Sequence, residues 1–151
     1  MSYAIEVRKA RARIQGVRGE EFAAELFLHA ARPHDPGIET IGDRLNNPEE
    51  QFLPCKTDSG VCLFRLEAIA YLEPVEAEPE LARARDAGAA EIEVEMELAT
   101  GDRLSGKLLC QLGEGHRLSD FLNIDPSRFL IFVDESRLLY VSKRVIDRIV
   151  E

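Results

Sequence analysis

The chain has no apolar run near the ~20 residues a membrane-spanning helix needs, and it opens on Met1-Ser2-Tyr3-Ala4-Ile5-Glu6 with no basic-then-apolar leader. A cytoplasmic protein with no membrane is the expectation. Cysteine is scarce: three residues, an odd number in no regular framework, which excludes a disulfide scaffold and fits a reducing compartment. No serine sits in a Gly-x-Ser-x-Gly elbow, and no spacing suggests a Cys–His–acid set. Gly16-x-x-Gly19 lacks the Lys-Ser/Thr that completes a phosphate loop. A non-enzymatic protein without a cofactor is expected. Cations are in deficit, with 19 Lys and Arg against 28 Asp and Glu and a net charge of −9. Much of the excess falls between Glu73 and Glu97, where Glu73, Glu76, Glu78, Glu80, Asp86, Glu91, Glu93, Glu95 and Glu97 face only Arg83 and Arg85. Phosphate binding requires clustered cations, so this balance disfavours a broad nucleic-acid surface while leaving room for a local basic patch.

What the chain does contain is one segment twice. At a constant offset of 77, without a gap, Asp43–Glu73 overlies Asp120–Val150. Asp43, Leu45, Asn46, Phe52, Leu53, Ser59 and Ile69 fall on identical residues at Asp120, Leu122, Asn123, Phe129, Leu130, Ser136 and Ile146. Conservative matches include Val61 with Leu138, Phe64 with Val141 and Leu72 with Ile149. A repeat means each copy predicts the other's fold. Modules of about 70 residues are marginal alone, so the two should share a core or an interface.

Ala10-Arg11-Ala12-Arg13-Ile14 alternates small with basic and reads as an exposed or edge strand, stopped by Gly16 and Gly19. Phe22–Ala30 follows as a strand apolar on both faces at Leu26-Phe27-Leu28, and Arg32–Gly37 as a Pro-Gly loop. Asp43–Pro48 reads as a short helical turn with Asp43 capping free amides. Gln51–Lys56 and Val61–Leu66 form a hairpin, with Cys55 opposite Cys62 as packing residues, and Ala68–Leu72 closes the module. Pro79 followed by good helix formers marks a short helix or connector. The second copy repeats the plan: Ile92–Leu98 with Glu91, Glu93, Glu95 and Glu97 on one face, a strand over Leu104–Leu112 kinked at Gly106, a turn at Leu118–Asn123, a hairpin over Arg128–Val133 and Arg137–Val141, and Val145–Val150.

Val94–Leu98 through Gly101-Asp102-Arg103-Leu104-Ser105-Gly106-Lys107-Leu108 resembles the first signature of the Sm-like small barrels, a strand, a turn and a glycine-kinked strand. Leu139–Ile149 resembles their closing signature, two strands joined by a tight basic turn. The chain as a whole resembles bacterial tandem Sm-like or SH3-like barrel proteins of unknown function. This implies an all-β fold of two tandem small barrels from an internal duplication: a first module at 1–74, an acidic linker or short helix at 75–90, and a second module at 91–151. Sm-like rings bind RNA through an Asn before the hairpin and an Arg-Gly turn near the end. Asn46 and Asn123 lie before the hairpins and Lys143-Arg144 at the closing turn, but neither copy has the glycine.

The repeated Asp-x-Leu-Asn (Asp43, Asn46; Asp120, Asn123) is better explained as turn structure, since short polar side chains satisfy backbone groups. Glu25, His29, His34 and Asp35 form the one candidate metal or small-ligand cluster, against the simpler reading of a strand end and a solvated loop. The basic strand with Arg11 and Arg13 and the acidic strand with Glu93 and Glu95 are opposite in sign, which suggests docking between modules or between protomers. Strands apolar on both faces must meet a twin module or another chain. The expected role is therefore a protein-interaction module, an adaptor or assembly factor binding a protein partner or its own copies. The alternatives are an RNA-binding protein using Arg11, Arg13, Lys143 and Arg144, and a metal or ligand sensor built on His29 and His34.

Overall fold

Alternation of apolar and polar residues organises this chain into strands, and short capped helices join them. The computed structural model describes residues 7–29, 39–135 and 137–151. The first six residues, the loop carrying His34 and Asp35, and Ser136 lie outside the described residues. Strand β1 (Val7–Gly16) turns Ala12 and Ile14 inward and Lys9, Arg11 and Arg13 outward. It pairs with β2 (Glu21–His29). A short helix α1 (Ile41–Leu45) leads to the hairpin β3 (Phe52–Thr57) and β4 (Gly60–Arg65), in which Cys55 is registered with Cys62. A 3₁₀ turn at Leu66–Ala68 feeds β5 (Ile69–Pro74). Helix α2 (Glu78–Asp86) connects the halves, with Pro79 in its first turn where a missing N–H costs nothing. The second half comprises β6 (Ala90–Leu98), β7 (Arg103–Cys110), α3 (Leu118–Ile124), β8 (Phe129–Asp134), β9 (Arg137–Ser142), a 3₁₀ turn at Lys143–Val145, and β10 (Ile146–Val150).

Asp43 and Asp120 do the same job in the two halves. Asp43 accepts from the Thr40 N–H at 3.0 Å while Thr40 Oγ1 accepts from the Asp43 N–H, a reciprocal capping box on α1. Asp120 accepts from the Arg117 N–H at 2.9 Å at the start of α3. Gly106 is required by packing: a Cβ there would run into the Val133 carbonyl and come within 2.7 Å of Phe132.

All ten strands belong to one antiparallel sheet in the order β10-β6-β7-β8-β9-β5-β1-β2-β3-β4. The first half contributes the order β5-β1-β2-β3-β4 and the second β10-β6-β7-β8-β9, the same arrangement twice. In each half the last strand returns to pair with the first. Among the described residues the sheet does not close, and β4 and β10 are its outer strands. This corrects the reading of the Arg11/Arg13 strand as an edge: β1 is flanked by β2 and β5. An outward basic row is equally the mark of an interior strand with one solvated face.

The halves meet where β5 pairs with β9, Tyr71 against Val141 and Leu72 against Tyr140. Alternate β9 side chains serve different cores. Leu138 and Tyr140 join Ile14, Leu26, Leu45 and Leu72 of the first half, together with Phe129. Leu139 and Val141 join Met96, Leu108 and Phe132 of the second, and Ala70 crosses over to them. At about 1.5–3 kcal/mol per fully buried large apolar side chain, the first half gains a substantial share of its core from Phe129, Leu138 and Tyr140 of the second, while the second takes only Ala70 among its buried residues from the first. The two-faced apolar character of β9 has this cause.

Candidate interaction edges and the polar clusters beside them

The edge strand β4 turns Cys62 and Phe64 inward, where Phe64 meets Phe22 edge-on at 5.0 Å between centroids. The alternate positions Val61 and Leu63 stand exposed at the free edge. Beside them Phe52 on β3 carries the Arg65 guanidinium 5.3 Å above its ring. An open edge offers unpaired backbone donors and acceptors, and proteins ordinarily blunt such edges with charge, proline or bulges. β4 exposes the aliphatic Val61 and Leu63 there, with charge only at its end, on Arg65. At the opposite end, β10 exposes Val150, and Arg148 donates to Glu97 at 2.7 Å. That hydrogen bond is the main reason the Glu97 carboxyl lies below its usual range and the Arg148 guanidinium above.

The sequence candidates are scattered over the fold. Arg11 is registered with Glu25, and Arg13 with Ala23 on one side and Glu73 on the other. Glu93 is registered with Lys107, and Glu95 with Ser105 and Val150. The basic and acidic strands do not dock on each other within the chain, because the halves join through β5 and β9. Lys143 donates to the Asp125 carbonyl at 2.5 Å and sits 3.4 Å from its carboxylate; Arg144 pairs with Glu67 at 2.7 Å. Asn46 bridges the halves, donating to the Phe129 carbonyl and accepting from the Phe129 N–H. Asn123, its counterpart, donates to Ser119 in its own helix. His29 ends β2, its backbone N–H donating to Glu39; His34 lies outside the described residues. Among the described residues no group of three His, Cys, Asp or Glu is placed to hold a metal ion.

Two buried polar clusters were not foreseen. Glu39 accepts from Arg44 Nε and Nη2 at 3.1 and 2.8 Å, and Arg44 also reaches Glu50. Glu80 on α2 accepts from the Tyr140 hydroxyl at 2.5 Å and from the Gly42 N–H at 3.0 Å, while Arg83 pairs with Asp43. The connector helix is thereby fastened over the β5–β9 junction. Burial, and then Glu80, pushes the Tyr140 hydroxyl far above its ordinary pKa. A faint signal existed for the first cluster, since Glu39-Thr40-x-x-Asp43 begins a helix. For the second there was none, Glu80 being one carboxylate in an acidic run. A cleft of about 480 Å³ runs beside α3, lined by Asn46, Cys110, His116, Phe121 and Asp125 among others. Burial and Asp125 raise the Cys110 thiol, which disfavours a nucleophilic thiolate. Compared with known proteins, the chain matches no family model, no curated protein and no solved structure.

Proposed function

We propose that this protein is a non-enzymatic interaction module, a cytoplasmic adaptor or assembly factor built from two tandem Sm-like or SH3-like units, and that it takes a protein partner through its open strand edges. The observation that carries the reading is the β4 edge, where Val61 and Leu63 stand exposed on a strand with a free hydrogen-bonding side. Such an edge supports β-augmentation, in which backbone pairing supplies affinity and alternate side chains supply selectivity. The repeated strand order, with its glycine-kinked β7, agrees with the Sm-like resemblance. Among the described residues no helix is long and apolar enough to cross a membrane. RNA binding has less support: Lys143 and Arg144 are already engaged by Asp125 and Glu67, and Arg11 and Arg13 lie on a different element.

The test is capture by tagged protein at near-physiological salt, with and without nuclease, alongside a Val61→Lys/Leu63→Lys variant. A protein bound in stoichiometric amount, resistant to nuclease and lost in the variant, is expected. Enriched RNA with no such protein would overturn the reading.

A further inference from the structure

We propose that this protein has a second interaction surface, apart from its strand edges, and that the occupant is another copy of the chain. The basic outer face of β1 in one copy lies on the acidic outer face of β6 in the other, sheet against sheet.

The duplication supplies the frame. Ile14 on β1 is registered with Leu72, and Met96 on β6 with Ile149. Leu72 and Ile149 are equivalent positions of the repeat, so Ile14 and Met96 hold the same place in the two halves. Counting back along each strand sets Lys9, Arg11 and Arg13 of β1 in the places of Glu91, Glu93 and Glu95 of β6, all of them outward. The adjoining strand inverts as well: Arg11 is registered with Glu25, whereas Glu93 is registered with Lys107. A solvated face needs charge, but it does not need the opposite sign at each equivalent position. Two surfaces of one shape and opposite charge are complements.

Within the chain these charges do not meet, because the halves join through β5 and β9. Arg11, Arg13 and Glu93 form no ion pair among the described residues; Lys9 comes to 4.0 Å from Glu25, and Glu91 to 3.3 Å from Arg85. Apolar groups accompany both rows. Val75 donates its N–H to the Arg11 carbonyl and is 52 % exposed; Val150 is registered with Glu95 and is 45 % exposed. Phe27, half-buried, is registered with Lys9 on the basic side, which gives the outer face of the doubly apolar strand β2 something to cover. Apolar contact flanked by opposite charges is the make-up of a protein–protein interface, in which the charges fix register and reject wrong alignments.

Stacked sheets keep their strands within about 30° of each other, which leaves β1 and β6 either parallel or antiparallel. Only the antiparallel arrangement keeps β2 over β7. It sets Arg11 on Glu93, Arg13 on Glu91, Lys9 on Glu95 and Glu25 on Lys107, and it brings Val75 and Val150 to the same side. Each chain carries both faces, so the contact is open to reciprocal pairing or to extension along a series of copies.

The experiment is sedimentation of four proteins at two salt concentrations. Wild type is expected as an assembly at about 0.1 M salt and as a single chain at about 1 M, where screening shortens the reach of charge from about 10 to about 3 Å. Arg11→Glu/Arg13→Glu leaves both faces acidic, and Glu93→Arg/Glu95→Arg leaves both basic, so each alone is expected as a single chain, with circular dichroism checking the fold. Mixed in equal amounts the two should assemble again, and a chain carrying all four substitutions should assemble by itself. Lost folding cannot produce that recovery. A wild type that is a single chain at about 0.1 M, an assembly unmoved by either reversal, or reversed variants that stay apart on mixing would each overturn the proposal. A Val61→Lys/Leu63→Lys variant should assemble like wild type. A single-chain wild type that still captures another protein through Val61 and Leu63 would remove this association and leave the edge-binding function standing.

Discussion

Replacing Tyr140 with Phe removes one oxygen from the β5–β9 junction and keeps the ring. The lost hydroxyl donates to Glu80 at 2.5 Å, deep in the molecule, and the carboxylate keeps the Gly42 N–H at 3.0 Å as its other partner there. Glu80 is itself buried, so water cannot take the place of the missing donor. A hydrogen bond to a charged group contributes about 1.5–3 kcal/mol, and losing a donor to a buried acceptor carries its full desolvation cost. For a chain of this size each kcal/mol moves the melting temperature by about 2–4 °C, so Tyr140→Phe should lower it by roughly 4–10 °C at pH 7. The assay is thermal unfolding by circular dichroism, with urea titration for the free energy. In a Glu80→Ala background the same substitution should cost much less, giving a coupling of about 1.5 kcal/mol or more in the double-mutant cycle. If Tyr140→Phe melts within about 1 °C of wild type, the connector helix does not fasten the halves as argued.

Further expectations follow from other sites. Arg44→Met leaves the Glu39 carboxylate buried without its guanidinium, and breaking a buried pair from one side should cost about 3 kcal/mol in urea unfolding; a loss well under 1 kcal/mol would show that other donors suffice. Among the thiols, Cys62 is partly exposed while Cys55 and Cys110 are buried, so a thiol reagent should label one site rapidly in the native state and the other two only on opening. Burial, with Cys62 contributing less, pushes the Cys55 thiol up to about 11 from its ordinary 9.0. The folded chain therefore holds that proton more tightly than the unfolded chain. The contribution is complete below about pH 9 and is lost as pH rises through about 11. Cys55→Ala should flatten the alkaline fall in stability, and an unchanged slope would assign it to other groups.

The strands were legible because each writes its own pattern. Lys9-x-Arg11-x-Arg13 against Ala12 and Ile14, and the glutamates of β6 against Val94 and Met96, show period two directly. The halves of the hairpins and both capping aspartates were equally local. Which strands lie side by side is not written in any one of them. That is why β1 looked like an edge, and why opposite charges on β1 and β6 suggested a docking that β5 and β9 make instead. The double-faced strand Leu138–Val141 did announce a second partner, because no small module buries both faces of a strand. The link from Glu80 to Tyr140, by contrast, spans sixty positions and involves a carboxylate indistinguishable from its exposed neighbours.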